Sequence, residues 1–304
     1  MRLHMKRPIE IILTLTLVAL LSISCDTVTD SDLTNSSEIQ SSDLAAEALG
    51  KKAGPNAVFN LTFSDAADAA DNTAGSAGWV DDRYNPGLGY PPVSFTQTTF
   101  DGDERLQINI SETGPTSGFY GYQGRKYQDA GGSYWNAEAN TRFSYSFYID
   151  PSWEGDGVEQ QTGVWPVLGN EGGFISAYPI LEYQDSDANE NGEAGFRVYV
   201  YISDDDGNFV EAKWIELGLP KKLKIDAEEG GWVTVEAQLH KTGNGAAMKW
   251  RVNNKLVVDE RGYNTFASST QFLEFIFNSP NFGVDQNYYY DDIVLTNPGH
   301  AGKK

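Results

Sequence analysis

Cysteine, histidine and basic residues are all scarce in this sequence. One cysteine in 304 residues excludes a disulfide framework and a thiolate zinc site. Three histidines, with His240 alone inside the strand-patterned part of the chain, cannot supply a His-rich metal centre or a His-centred triad. Lys and Arg number 22 against 43 Asp and Glu, a formal net charge of −21 that repels phosphate backbones and excludes a nucleic-acid partner. The sequence has no Gly-x-Ser-x-Gly elbow, no His-Glu-x-x-His helix and no phosphate-binding glycine loop, so no organic cofactor is expected. No apolar run reaches the about 20 residues that a spanning helix needs.

What is present begins with an address. Arg2, Lys6 and Arg7 precede an apolar run over 11–23, which ends at Ser24-Cys25. A lone Cys at that position resembles a bacterial lipobox. The resemblance implies removal of residues 1–24, acylation of Cys25 and export to the bacterial cell envelope, at the outer membrane or cell surface. Membrane contact would then run through the lipid anchor only. Residues 25–56 are rich in Ser, Thr, Asp and Ala and contain no aromatic side chain. They bury too little apolar area to offset ordering entropy and read as a flexible tether.

From residue 57 the texture changes. Short alternating apolar–polar runs are separated by Gly, Asp and Asn clusters. Strands are predicted over 58–63, 106–111, 142–149, 175–183, 195–203, 212–217, 232–240, 248–252, 255–259, 271–278 and 288–295. Hairpin turns are predicted at Asp206-Gly207, Asn244-Gly245 and Asn253-Asn254. This pattern predicts an all-β monomer with one sandwich over 57–297 and a short tail over 298–304.

Certain segments carry a family resemblance. They are Gly163-Val-Trp165-Pro166, Ser176-Ala-Tyr178-Pro179-Ile180-Leu-Glu182-Tyr and Gly231-Trp232-Val-Thr-Val-Glu236. Trp250-Arg-Val-Asn253 and the closing Tyr288-Tyr-Tyr-Asp-Asp292-Ile follow in order. Over about 140–296 the chain resembles the concanavalin A-like jelly roll of laminin-G-like modules, legume-type lectins, glucanases and polysaccharide lyases. The resemblance implies two curved antiparallel sheets with any glycan on the concave one. It does not specify an activity.

Two spellings bear on catalysis. Glu154-Gly-Asp156-Gly-Val-Glu159 matches the Glu-x-Asp-x-x-Glu of family 16 glycoside hydrolases, but its glycines and the preceding Pro151 read as a loop. After Pro166, where that motif is expected, the sequence offers only Glu182, and retaining hydrolysis needs two carboxyls. Gln238-Leu-His240 matches the Gln-x-His of jelly-roll alginate and glucuronan lyases. A lyase needs a group that neutralises the uronate and a base for its C5 proton. Period two puts Glu236, Gln238 and His240 on one face, and Arg197, Tyr199 and Tyr201 on one face of another strand. A catalytic set of Glu182, Arg197, Tyr199, Gln238 and His240 follows if those faces meet. The bland alternative is two solvent faces.

Binding has the better signal. Aromatic rings stack on sugar C–H faces while Asn, Gln, Asp and Arg take the hydroxyls. Trp153, Trp165, Tyr178, Tyr199 and Tyr201 are the predicted glycan contacts, set against the alternative that a large core simply uses many rings. Calcium has two candidate sites. Asp185, Asp187, Asn189 and Asn191 place oxygen donors at alternate positions, as in half an EF-hand loop. Asp65 and Asp292 resemble the carboxylates that hold a structural calcium in related jelly rolls. The sequence thus predicts a lipid-anchored, non-catalytic jelly roll that binds a polysaccharide or cell-surface glycan. Its first alternative is a polysaccharide-degrading enzyme, lyase ahead of hydrolase. Its second is a structural or adhesive module.

Overall fold

The computed structural model describes residues 57–72, 76–83, 94–129, 134–170, 172–204, 209–242, 245–260 and 271–298. The export signal with Cys25, the tether, the Asp206-Gly207 turn, Asn244 and the residues after 298 lie outside them. In chain order the strands are β1 (Ala57–Leu61), β2 (Gly78–Asp82), β3 (Ser94–Phe100), β4 (Asp103–Ile110), β5 (Tyr122–Gln128) and β6 (Trp135–Asn136). Next come β7 (Arg142–Ile149), β8 (Gln161–Gly169), β9 (Ile175–Ala177), β10 (Ile180–Gln184), β11 (Gly195–Ser203) and β12 (Phe209–Gly218). The last are β13 (Gly231–Thr242), β14 (Gly245–Val252), β15 (Lys255–Asp259), β16 (Gln271–Pro280) and β17 (Gln286–Thr296).

These strands form two antiparallel sheets. One has eight strands in the order β15-β14-β13-β7-β17-β4-β3, with β1 on β17. The other has nine, in the order β12-β11-β10-β8-β16-β5-β2, with β6 on β16 and β9 on β8. Neighbours far apart in sequence, such as β7 beside β17 and β8 beside β16, make this the crossed-over sandwich of a jelly roll. The described residues contain no helix long and apolar enough to cross a membrane.

Alternation explains the layering. Phe143, Tyr145 and Phe147 of β7 point inward; the first two meet Phe275 and Phe277 of β16 from the facing sheet, and Phe147 meets Tyr183 and Phe196 of β10 and β11. Phe143 stacks on Phe275 at 4.1 Å. Buried tyrosines keep their hydroxyls bonded: Tyr290 to Thr162 at 2.5 Å, and Tyr288 to Ser279 at 2.7 Å. The β14–β15 turn uses Asn253 and Asn254 at φ 46 and 63, the left-handed pair that a two-residue hairpin requires.

Several strands carry no legible pattern. β8 is buried on both faces, so its residues do not alternate, and it holds Pro166. β5 mixes Gln123, Gly124, Arg125 and Lys126 and lacks an apolar stripe. β2 and β3 are equally cryptic, being short or rich in Thr and Gln. The predicted strand over 175–183 is two strands, broken at Tyr178-Pro179 because proline has no ladder N–H.

Candidate functional site: the outer face of the nine-stranded sheet

The site is built from cross-strand neighbours. Registry places Asp82 opposite Gly124, Gly124 opposite Asn278 and Asn278 opposite Gly163. Gly163 is opposite Glu182, Glu182 opposite Arg197 and Arg197 opposite Glu216. The inward neighbours on these strands, such as Phe277, Val164, Leu181 and Val198, are buried in the core. The row therefore faces outward, and it crosses seven strands. Gly163 leaves a gap in it: a Cβ there would stand 2.7 Å from Leu181 O and 3.1 Å from Glu182 Cα. A trough results between the side chains of Asn278 and Glu182.

A ring-rich wall flanks this trough. Trp165 opposes Ile276, and Tyr199 opposes both Ile180 and Trp214. Arg83, Phe119, Tyr122, Trp165, Tyr178 and Tyr199, with Ile180, Tyr201 and Trp214, line a cavity of about 450 Å³. The Arg83 guanidinium lies 4.7–5.3 Å from the rings of Trp165, Phe119 and Tyr122. Part of the outer face is closed. Val167, Leu273 and Ile276 form a small second core there, packed by Trp165 and Tyr178. Phe119 at the cavity rim is 66% exposed, as an aromatic contact surface would be.

The trough's charge is held tightly. Arg197 donates to Glu182 Oε2 through Nε at 2.7 Å, and Nη2 lies 2.6 Å from the same oxygen. It also donates to Gln161 Oε1 at 3.0 Å, and its guanidinium lies 4.0 Å from the Trp214 ring centroid. Glu182 is fully buried. Burial pushes its carboxyl above the ordinary glutamate range, and Arg197 holds it back. Asp82 is pushed up in the same way, against the pull of Arg83. Three buried polar atoms on this face have no partner among the described residues: Glu182 Oε1, Asn278 Oδ1 and Trp165 Nε1. The Asn278 amide is oriented by its Nδ2, which donates to Asp82 at 3.4 Å.

The predicted site residues divide. Trp165, Tyr178, Tyr199 and Tyr201 meet in the one cavity. Trp153 does not: it sits in the short 3-10 turn Pro151–Trp153 that follows β7 and is buried against Tyr183 and Tyr288 as part of the main core. The predicted catalytic set is also split. Glu182, Arg197 and Tyr199 lie on the nine-stranded sheet, whereas Gln238 and His240 belong to β13 of the eight-stranded sheet. Each strand does put its polar residues on one face, but the faces are the two opposite outsides of the sandwich. Gln238 bonds Asn140 and Arg251 there. Sequence reasoning missed Arg83, Tyr122, Trp214 and Asn278. For Trp214 and Asn278 a signal existed, since each alternates with inward residues of a predicted strand.

The calcium candidates change as well. Asp185 and Asp187 are joined by Asp156 from the preceding loop, with carboxylate oxygens within 4.8 Å of one another. Asp185 is buried and accepts from Gln160 N and Ala188 N at 3.0 and 2.7 Å, and burial pushes its carboxyl up to about 7. Three hard oxygen donors this close fit a divalent cation such as calcium, which would relieve their mutual repulsion. Asn189 uses its Oδ1 on Asn191 N at 3.0 Å. Asp65 and Asp292 have separate surroundings: Asp65 caps a turn through Ala67 N, and Asp292 faces Arg105 and Asp103.

No family model and no curated protein matches the chain. Solved structures resemble it in fold. An endo-β-1,4-glucuronan lyase from the fungus Trichoderma reesei shares 12% identity at a TM-score of 0.47, over 79% of this chain and 95% of that one. Alginate lyase vAL-1 from Chlorella virus shares 14% at 0.49, over 79% and 99%. A family 16 endo-glucanase from Bacteroides ovatus shares 11% at 0.46, over 78% and 99%. Likeness at these identities is one of fold.

Proposed function

We propose that this protein holds a polysaccharide across the outer face of its nine-stranded sheet, carried to the cell envelope on a lipid at Cys25. One observation carries the reading. Glu182 Oε1, Asn278 Oδ1 and Trp165 Nε1 are buried without a partner among the described residues, beside an open, ring-lined cavity. Buried polar atoms are almost always bonded, so these three are left for a partner other than the described residues. A sugar supplies both halves of the match: hydroxyls for the polar atoms, and C–H faces for Trp165, Tyr199 and Trp214. The volume also lies within the range of about 300–1,000 Å³ usual for ligand sites.

A second reading is favoured by Glu182 itself. A carboxyl raised by burial at the centre of the trough is suited to giving a proton to a leaving oxygen, which would make the protein a polysaccharide-degrading enzyme. One experiment separates the readings. The soluble domain is incubated with a panel of polysaccharides, and gel retardation, new reducing ends and ultraviolet absorbance of unsaturated ends are recorded. Retardation alone supports binding. Reducing ends or unsaturated ends that disappear in Glu182→Gln support cleavage. Silence in all three leaves a structural or adhesive module and refutes the glycan reading.

A further inference from the structure

We infer that the glycan seated here is neutral and hydroxyl-rich, and that the site discriminates against carboxylated or sulfated sugars. The inference rests on the reading of this face as a glycan seat.

Among the described residues, every cation around the cavity already has its own carboxylate. Arg83 is paired with Asp82 at 3.3 Å, Lys126 with Glu274 at 3.0 Å and Arg197 with Glu182 at 2.6 Å. Glu216, opposite Arg197, adds a fourth acid to three cations, so one negative charge is in surplus. An acidic sugar could gain a counter-charge only by drawing a cation off its partner. Asp82 is 6% exposed and Glu182 1%, so the acid left behind would be buried with its charge unmatched. The guanidinium of Arg83 is further occupied by three rings, and that of Arg197 by Trp214.

The unpartnered atoms point the same way. Glu182 Oε1 and Asn278 Oδ1 are acceptors and Trp165 Nε1 is a donor, so together they call for a group that both donates and accepts, as a hydroxyl does. A sugar hydroxyl donates; a carboxylate or sulfate offers only acceptors. The choice also bears on chemistry. β-Elimination starts from a C5 proton acidified by a neighbouring carboxylate, which a neutral sugar lacks. Any cleavage here would therefore be hydrolysis, with the hydroxyl of water going to the anomeric carbon and its proton to the leaving oxygen. That reverses the order of lyase and hydrolase drawn from the Gln238-Leu-His240 spelling.

The test uses the mature chain and oligosaccharide pairs of equal length and linkage: gluco- with glucurono-, manno- with mannurono-, and galacto- with galacturono-. Affinity is read by calorimetry. The neutral member of whichever pair binds is expected to bind at least about tenfold more tightly. Raising salt from about 20 to 500 mM should leave its affinity level and lift that of the acidic member, because screening weakens repulsion. Equal affinity, an acid preference or salt-weakened binding of the acid overturns the inference while leaving the glycan seat intact. Failure of every member of every pair to bind overturns both.

Discussion

Glu260 offers the sharpest quantitative check of the packing. It lies under β14 with no exposed surface and takes Trp250 Nε1 at 2.9 Å and Met248 N at 3.3 Å. Burial pushes its carboxyl from an ordinary 4.5 up to about 8. The folded protein thus binds this proton more tightly than the unfolded chain does. Stability from this group is fully present below pH 4.5, declines as pH rises and levels off above about 8. At about 1.4 kcal/mol for each unit of displacement, the decline is on the order of 5 kcal/mol. Glu260→Gln removes the titration. Its amide still accepts from Trp250 but leaves Met248 N without an acceptor, at a cost of about 1–2 kcal/mol at every pH. The variant should be less stable than the parent at pH 5 and more stable by about 3 kcal/mol at pH 9. Urea unfolding from pH 5 to 9 reads the difference. Parallel stability curves for parent and variant would refute the reasoning.

Other predictions follow from the site. Trp153→Ala should cost about 3–5 kcal/mol in unfolding free energy without weakening glycan retention per folded molecule. Trp165→Ala should weaken retention by about tenfold at a smaller stability cost, and the reverse pattern would move the binding face elsewhere. Calcium should raise the melting temperature relative to chelator, more at pH 8 than at pH 6 because Asp185 must lose a proton pushed up to about 7. Asp185→Asn should abolish that rise, and identical melting with and without calcium would dismiss the cation. Gly163→Ala should destabilise by about 1–3 kcal/mol, since its Cβ meets backbone 2.7 Å away. Unchanged melting would mean that the trough gives way.

Strand pattern and site composition were legible to different degrees. β7, β11 and β13 were legible because each buries one face and wets the other, which writes period two into the residues. β5 and β8 were not. The first lies beside polar rows, and the second is covered on both sides, so neither alternates. Ring residues were legible as types, but depth was not. Trp153 and Trp165 look alike in sequence, and only the packing of Trp153 against Tyr183 and Tyr288 in the folded protein buries the first.

What the chain's own order of residues determined is the acidity, the lone Cys25, the alternating runs and which side chains share a face of one strand. Which strands become neighbours was decided only by the fold. Arg197 and Gln238 each point outward, yet β11 and β13 belong to different sheets, so a set that seemed able to converge is divided by the core. Asn278, Gly163 and Glu182 are distant along the chain and are brought into one row by the pairing of β16, β8 and β10. Alternation is a local property of a single strand, whereas sheet membership depends on how non-local loops close and on which faces bury the most apolar area together.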